Sequence, residues 1–171
     1  AESRANRLDR VAIGGARPRF GIVTTGKSYL DVRQALDDLG IDDAYAAKIG
    51  LAVYKVALAW PLERDGIRRF CEGLEEVLVV EEKRALIENQ LKEQLYNWQA
   101  KRRPRIVGKF DEAGEWILPS AGALSPARIA RVVAGRIARF HTSTRIAERL
   151  AFLDAKEKAL DSMRPAPKRM P

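Results

Sequence analysis

The stretch Glu75–Lys83, Glu-Glu-Val-Leu-Val-Val-Glu-Glu-Lys, constrains the fold of this chain more than any other. Four consecutive apolar residues, Val77 to Val80, stand between pairs of glutamates. A strand with one wet face alternates apolar and polar residues, whereas an unbroken apolar run needs cover on both faces. Such a strand belongs in the middle of a parallel sheet, with helices above and below it. Parallel strands in turn require crossover connections, so helical patterns should separate the strands.

The rest of the chain supplies them. Phe20–Thr24 is a short β-branched strand, and Leu30, Val32, Ala35, Leu36 and Leu39 recur at helical steps from Lys27 to Leu39. Gly40 suits a helix stop, and Asp42–Ala47 reads as one further helical turn. Leu51–Leu58 is a second strand. Pro61 opens a helix ending near Cys71, with Leu62, Ile67, Phe70 and Cys71 on one face and Gly73 as its stop. After the Glu75–Lys83 strand, Leu86, Ile87, Leu91, Leu95 and Trp98 form an apolar stripe. Arg105–Phe110 is a fourth strand, and Glu115–Leu118 returns as a fifth strand or a hairpin arm. Ser125-Pro126 has the N-cap and N1 chemistry of a helix start, with Ile129, Val132, Val133, Ile137 and Phe140 on its buried face. A last helix runs from Thr142 or Ser143 to about Ser162, with Ile146, Leu150, Leu153 and Leu160 on one side.

The order of elements predicts an α/β fold, a three-layer α/β/α sandwich on a mostly parallel sheet, with extra C-terminal helices. Right-handed crossovers place the turns after the first three strands along one edge. That edge carries Thr25-Gly26-Lys27, Ala59-Trp60-Pro61 and Glu81-Glu82-Lys83.

Composition narrows the function classes. Of 171 residues, 46% are hydrophobic and 32% charged, the balance of a folded globular chain. No apolar run approaches a membrane span, and no N-terminal stretch has signal-peptide order. The chain begins at Ala1 rather than Met, as expected of a processed or excised segment. Cys71 and His141 are the single residues of their types, so neither a structural zinc nor an iron–sulfur cluster is expected here. The net charge is +8, but the cations are dispersed and no aromatic residues interleave with them. This favours a solvated or protein-docked surface over nucleic acid.

By letter, Gly21–Ser28 fits the phosphate-binding pattern G-x-x-x-x-G-K-[ST]. In a true loop of that type the buried strand precedes the first glycine. Here Ile22 and Val23, which are strand residues, lie inside it. An ordinary strand–turn–helix corner is the expected structure, with a nucleotide-binding domain as the alternative.

Three motifs in order resemble a known family. They are Gly21-Ile-Val-Thr-Thr-Gly-Lys-Ser-Tyr29, then Val53-Tyr-Lys-Val56 with Trp60-Pro61-Leu62, then Val79-Val-Glu-Glu-Lys-Arg84 with Gln90-Leu-Lys-Glu-Gln-Leu95. Together they resemble the indolepyruvate ferredoxin oxidoreductases of the 2-oxoacid:ferredoxin oxidoreductase superfamily. The resemblance spans about residues 18–163 and implies the middle domain, similar to the transketolase C-terminal domain. It implies a five-stranded sheet with one antiparallel strand. The implied organisation is an arm over residues 1–17, the α/β domain over 18–140, a packed helix over 141–163, and a linker over 164–171 toward a diphosphate-binding domain.

The same resemblance implies a parent enzyme that decarboxylates a 2-oxo acid to acyl-CoA and passes electrons to ferredoxin. Its cofactors would be thiamine diphosphate, Mg and 4Fe-4S clusters, with coenzyme A as co-substrate. The family's clustered cysteines and its Gly-Asp-Gly-like motif do not occur in this chain. No catalytic residue, metal ligand or cofactor is therefore expected in it. Thr25, Gly26, Lys27, Ser28, Glu81, Glu82 and Lys83 are the candidate edge for a ligand or a neighbouring domain. The expected partners are the pyrimidine- and diphosphate-binding domains of the parent, with ferredoxin for the whole enzyme. A cytoplasmic, homo-oligomeric parent without nucleic-acid or membrane contacts completes the expectation. A freestanding basic binding module is the further alternative.

Overall fold

A computed structural model describes residues 8–120 and 124–163. Five strands form one sheet: β1 (Arg10–Ile13), β2 (Phe20–Thr25), β3 (Leu51–Val56), β4 (Glu76–Val80) and β5 (Arg105–Val107). Six helices accompany them: α1 (Gly26–Asp38), α2 (Asp43–Ile49), α3 (Arg64–Cys71), α4 (Leu86–Leu95), α5 (Pro126–Ile137) and α6 (Thr144–Met163). The strand order is β1-β3-β2-β4-β5. Four strands run parallel, and β1 joins the β3 edge antiparallel.

The apolar run at Val77–Val80 lies where its composition requires, in β4, with every residue buried. Alternate side chains serve two separate cores. Leu78 and Val80 join Ile22 and Val53 beneath α1, α2, α5 and α6. Val77 and Val79 join Val23, Ala52 and Tyr54 beneath α3 and α4. Fully burying each of the valine, leucine and isoleucine side chains contributes roughly 1.5–3 kcal/mol relative to exposure. Cys71 belongs to the second core and is wholly buried, and burial pushes its thiol up to about 12.

Local chemistry sets the helix ends. Asp42 accepts from Tyr45 N–H at the start of α2, Glu63 from Asp65 and Gly66 at α3, and Ser125 from Arg128 at α5. Gly40, Gly50 and Gly73 stop helices with positive φ.

Three expectations are corrected. The stretch read as an arm contains a strand: Arg10 and Val11 pair with Lys55 and Tyr54, and the register then shifts at Ile13. Its burial runs from exposed to buried, the pattern of an edge strand, and four residues are too few to show periodicity. The fifth strand is therefore this one and not Glu115–Leu118. That stretch takes the other form expected of it, a short hairpin arm, with Ile117 N–H donating to Lys109 O and an isolated antiparallel Phe110–Trp116 bridge whose rings stack at 5.6 Å. Leu160, expected on the packed side of the last helix, is 54% exposed. Ile146, Leu150 and Leu153 do pack on the first core, but the final turns of α6 run past it. The expected linker over 164–171 and the first seven residues lie outside the described residues.

Candidate functional site

The sheet reverses its winding direction at β2. The chain leaves β2 for β3 on one side, then crosses to β4 on the other. In open α/β sheets, the crevice outside the carboxyl ends of the strands at such a reversal is where ligands gather. A cleft of about 470 Å³ occupies this place. Its walls are the turn after β2 (Thr25, Gly26, Lys27, Ser28), Ala59 after β3, and the loop after β4 (Glu81 to Arg84) with Leu86. All seven edge residues named from sequence line it. Ala59, Arg84 and Leu86 complete the lining, while Trp60 is 65% exposed and does not line it.

Each wall has its own reason. Thr25 is the N-cap of α1 but its side chain makes no capping bond, and its hydroxyl donates to Val56 O at 2.8 Å. That bond ties the ends of β2 and β3 together and leaves the first N–H groups of α1 without a side-chain acceptor. Gly26 turns at φ +51, and a Cβ there would meet nothing within 4 Å. Ser28 is 1% exposed and lines the cleft. Lys27 Nζ lies 2.7 Å from Asp31 Oδ2 and 3.7 Å from Glu82 Oε1, and the Asp31 hydrogen bond raises its pKa.

The β4 side is built around a buried carboxylate. Glu81 is 4% exposed and accepts from Ile87 N–H at 2.9 Å and Glu88 N–H at 3.0 Å. It caps α4 from a distance, since Ala85 at the formal N-cap has no side chain to do so. Burial raises the Glu81 pKa, against those backbone N–H groups and Lys109, which favour the charged form. Lys109, itself buried, donates to Glu81 O at 2.5 Å, and its desolvation lowers the ammonium's pKa. Glu88 accepts from Lys109 N–H at 3.0 Å and pairs with Lys92 at 2.6 Å. Gly108 permits this, because a Cβ there would stand 2.2 Å from Glu88 Oε2. Lys83 holds φ 54, unusual outside glycine, and neither it nor Arg84 makes an ion pair among the described residues.

A clasp joins the turn after β3 to α4. Gln90 accepts from Leu62 N–H and donates to Ala59 O and Leu86 O, and Gln94 donates to Leu62 O. The Trp60-Pro61-Leu62 and Gln90–Gln94 motifs are thus two halves of one contact. Lys109 and Gln90 were not among the sequence-derived site residues. Gln90 carried a signal, a glutamine on the apolar side of α4 beside Leu91. Lys109 carried none.

The eight residues matching the phosphate-loop pattern do not form such a loop. Gly21–Thr25 belong to β2, with Gly21–Thr24 paired on both sides and Thr25 paired with β3. Among the described residues, no group of three or more His, Cys, Asp or Glu is placed to hold a metal ion.

Comparison with known proteins is consistent across sequence and structure. The family described as the indolepyruvate ferredoxin oxidoreductase middle domain matches residues 9–163. The indolepyruvate oxidoreductase subunit IorA of Thermococcus kodakarensis is 34% identical over 79 residues, covering 46% of this chain and 11% of that protein. The IorA subunit of Methanothermobacter thermautotrophicus is 32% identical over 84 residues, covering 49% of this chain and 12% of that protein. The chain thus aligns with about a tenth of the length of the curated relatives it matches. A 2-oxoglutarate:ferredoxin oxidoreductase from Magnetococcus marinus, solved with 2-oxoglutarate, coenzyme A and succinyl-CoA bound, overlays with a TM-score of 0.50. That match has 19% identity and covers 80% of this chain and 21% of that one, which shows the shared fold.

Proposed function

This chain belongs to the indolepyruvate ferredoxin oxidoreductase middle-domain family, and we propose that it serves as the inter-domain scaffold of a 2-oxoacid:ferredoxin oxidoreductase. The observation that carries this reading is the family match over residues 9–163 in a chain that spans about a tenth of its curated relatives. The whole enzyme, on this reading, oxidatively decarboxylates a 2-oxo acid to its acyl-CoA and passes electrons to ferredoxin.

The residues present do not fit the redox cofactors of such an enzyme. The one thiol, Cys71, is sealed in the core, and burial disfavours the thiolate that a cluster requires. On this reading the 4Fe-4S clusters belong to other domains of the parent, as do thiamine diphosphate with Mg and coenzyme A, and this domain holds those domains in place.

The surface supports a docking role at the carboxyl edge of the sheet. Leu30 near the start of α1, Leu58 and Trp60 after β3, and Leu86 at the start of α4 are between 43% and 65% exposed. Large apolar side chains grouped on one edge mark a contact surface. The pyrimidine- and diphosphate-binding domains are the partners assigned to it. No helix among the described residues is long and apolar enough to cross a membrane, and a cytoplasmic enzyme is part of the proposal.

Activity tests the reading. The full-length protein should reduce a one-electron acceptor only when supplied with a 2-oxo acid and coenzyme A. The 171-residue chain alone should reduce none and bind no thiamine diphosphate. Turnover by the isolated chain, or 2-oxo-acid-independent behaviour of the full-length protein, overturns the proposal.

A further inference from the structure

We propose that the groove between α3 and the end of α4 is a docking surface for a separate protein, which it engages through an acidic, extended segment. The groove has a volume of about 720 Å³, and a second cavity of about 530 Å³ lies next to it, beside the chain that enters β4. Trp98 lines both. Six cations stand on the walls: Arg64, Arg68 and Lys92 in the first cavity, and Lys101, Arg102 and Arg103 in the second. Three carboxylates share these walls, Glu93, Glu72 and Glu75. Two of them are already held, Glu72 by Arg102 at 3.6 Å and Glu75 by Arg19 at 2.5 Å. Arg64 and Lys101 are exposed and make no ion pair among the described residues. This local excess of positive charge attracts an acidic partner and repels a basic one.

The aromatic residues favour a peptide over a nucleic acid. Tyr96 is 73% exposed at the groove wall, the profile of a contact anchor rather than of a core residue. Trp98 packs on the second core, and the Arg68 guanidinium carbon lies 5.3 Å from its ring centroid. Its ring is therefore already covered. One open aromatic face remains, where single-stranded nucleic acid stacks on a succession of them. Glu93 on the wall opposes a continuous run of phosphates but tolerates a chain whose carboxylates are spaced. Two polar atoms of the wall residues have no partner among the described residues: Gln94 Oε1, an acceptor, and Trp98 Nε1, a donor. A peptide unit carries one group complementary to each. None of the residues lining the groove belongs to the cleft at the carboxyl edge, so a protein bound here displaces nothing docked there.

The test follows fluorescence anisotropy of a fluorescein-labelled peptide of alternating glutamate and serine at low ionic strength, titrated with the 171-residue chain and with the full-length protein. Saturable binding that weakens with salt is expected with both. Arg64→Glu with Lys101→Glu breaks no ion pair and should weaken binding about ten-fold, since two attractive charges become repulsive. Lys156→Glu with Lys158→Glu makes the same change in net charge on α6, against the other core, and should leave binding within about two-fold. Tyr96→Ala should weaken it about three-fold at any salt concentration, through lost apolar contact. Four results overturn the proposal. They are no saturable binding, equal weakening by the two charge-reversed pairs, oligothymidylate of the same length binding as tightly as the peptide, and binding by the chain but not by the full-length protein. No readout depends on 2-oxo acid turnover, so this surface can fail while the oxidoreductase reading stands.

Discussion

Strand β4 is flanked by two buried carboxylates that are held in opposite ways. Glu76, at its amino end, is 1% exposed and meets Arg136 through two bonds of 2.5 Å. Arg105 approaches the same carboxylate at 3.4 Å, and Arg136 continues to Glu112 at 2.9 Å, which also binds Arg139. Charge is matched by charge, and the network fastens α5 and the 112 loop to the sheet. Glu81, just past the carboxyl end, is matched by backbone N–H groups and lies under an open cleft. The difference shows how one strand serves two purposes. Its amino end is a closed structural joint, and its carboxyl end opens onto a cleft where a partner can dock.

Mutation at the closed end should do the most damage. Arg136→Ala strands a buried carboxylate and should cost about 3–5 kcal/mol in urea unfolding. A loss below about 1 kcal/mol would mean that Glu76 finds water, and the contrast between the two ends would collapse. Next comes Gly108→Ala, whose Cβ collides with Glu88 and so disturbs the Glu88–Lys109 contact. It should cost about 1–3 kcal/mol as an overpacked site. Glu81→Gln weakens the distant cap on α4 and should cost about 1 kcal/mol, with amide exchange rising first at Ile87 and Glu88.

Acid titration sharpens the same contrast because the two ends carry opposite signs. The Glu112 carboxyl is held down from its ordinary 4.5 to about 2, first by its own backbone N–H and then by Arg136 and Arg139. Its stabilising contribution is present above 4.5 and is lost as pH falls toward 2. The Glu81 pKa is raised, chiefly by burial. Its contribution is present below the ordinary glutamate value and is lost as pH rises through the raised one. Glu112→Gln should therefore remove part of the acid-side slope in a pH series of urea midpoints. Glu81→Gln should remove a slope of opposite sign at higher pH.

Much of this architecture is legible in the sequence, for reasons visible at particular residues. Val77–Val80 announced a doubly covered strand, and Leu30 to Leu39 announced the helix beside it. From order and crossover hand alone, Thr25–Ser28 and Glu81–Lys83 fell on one edge, and they line one cleft. What stayed hidden depends on partners distant in the chain. Arg10–Ile13 becomes a strand only because β3 offers an edge to it. Arg136 looks like any helix arginine until Glu76, 60 residues earlier, is placed against it. Lys109 follows the same pattern, since only the fold brings it to the Glu81 carbonyl.

Amide hydrogen exchange, compared between the 171-residue chain and the full-length protein, tests the central claim most directly. If the chain is a scaffold docked through its carboxyl edge, residues 25–28 and 81–86 should exchange quickly in the chain alone and become protected in the whole protein. The Glu76–Arg136 end should be protected equally in both. Protection appearing at the amino end instead, or at neither end, would contradict the account.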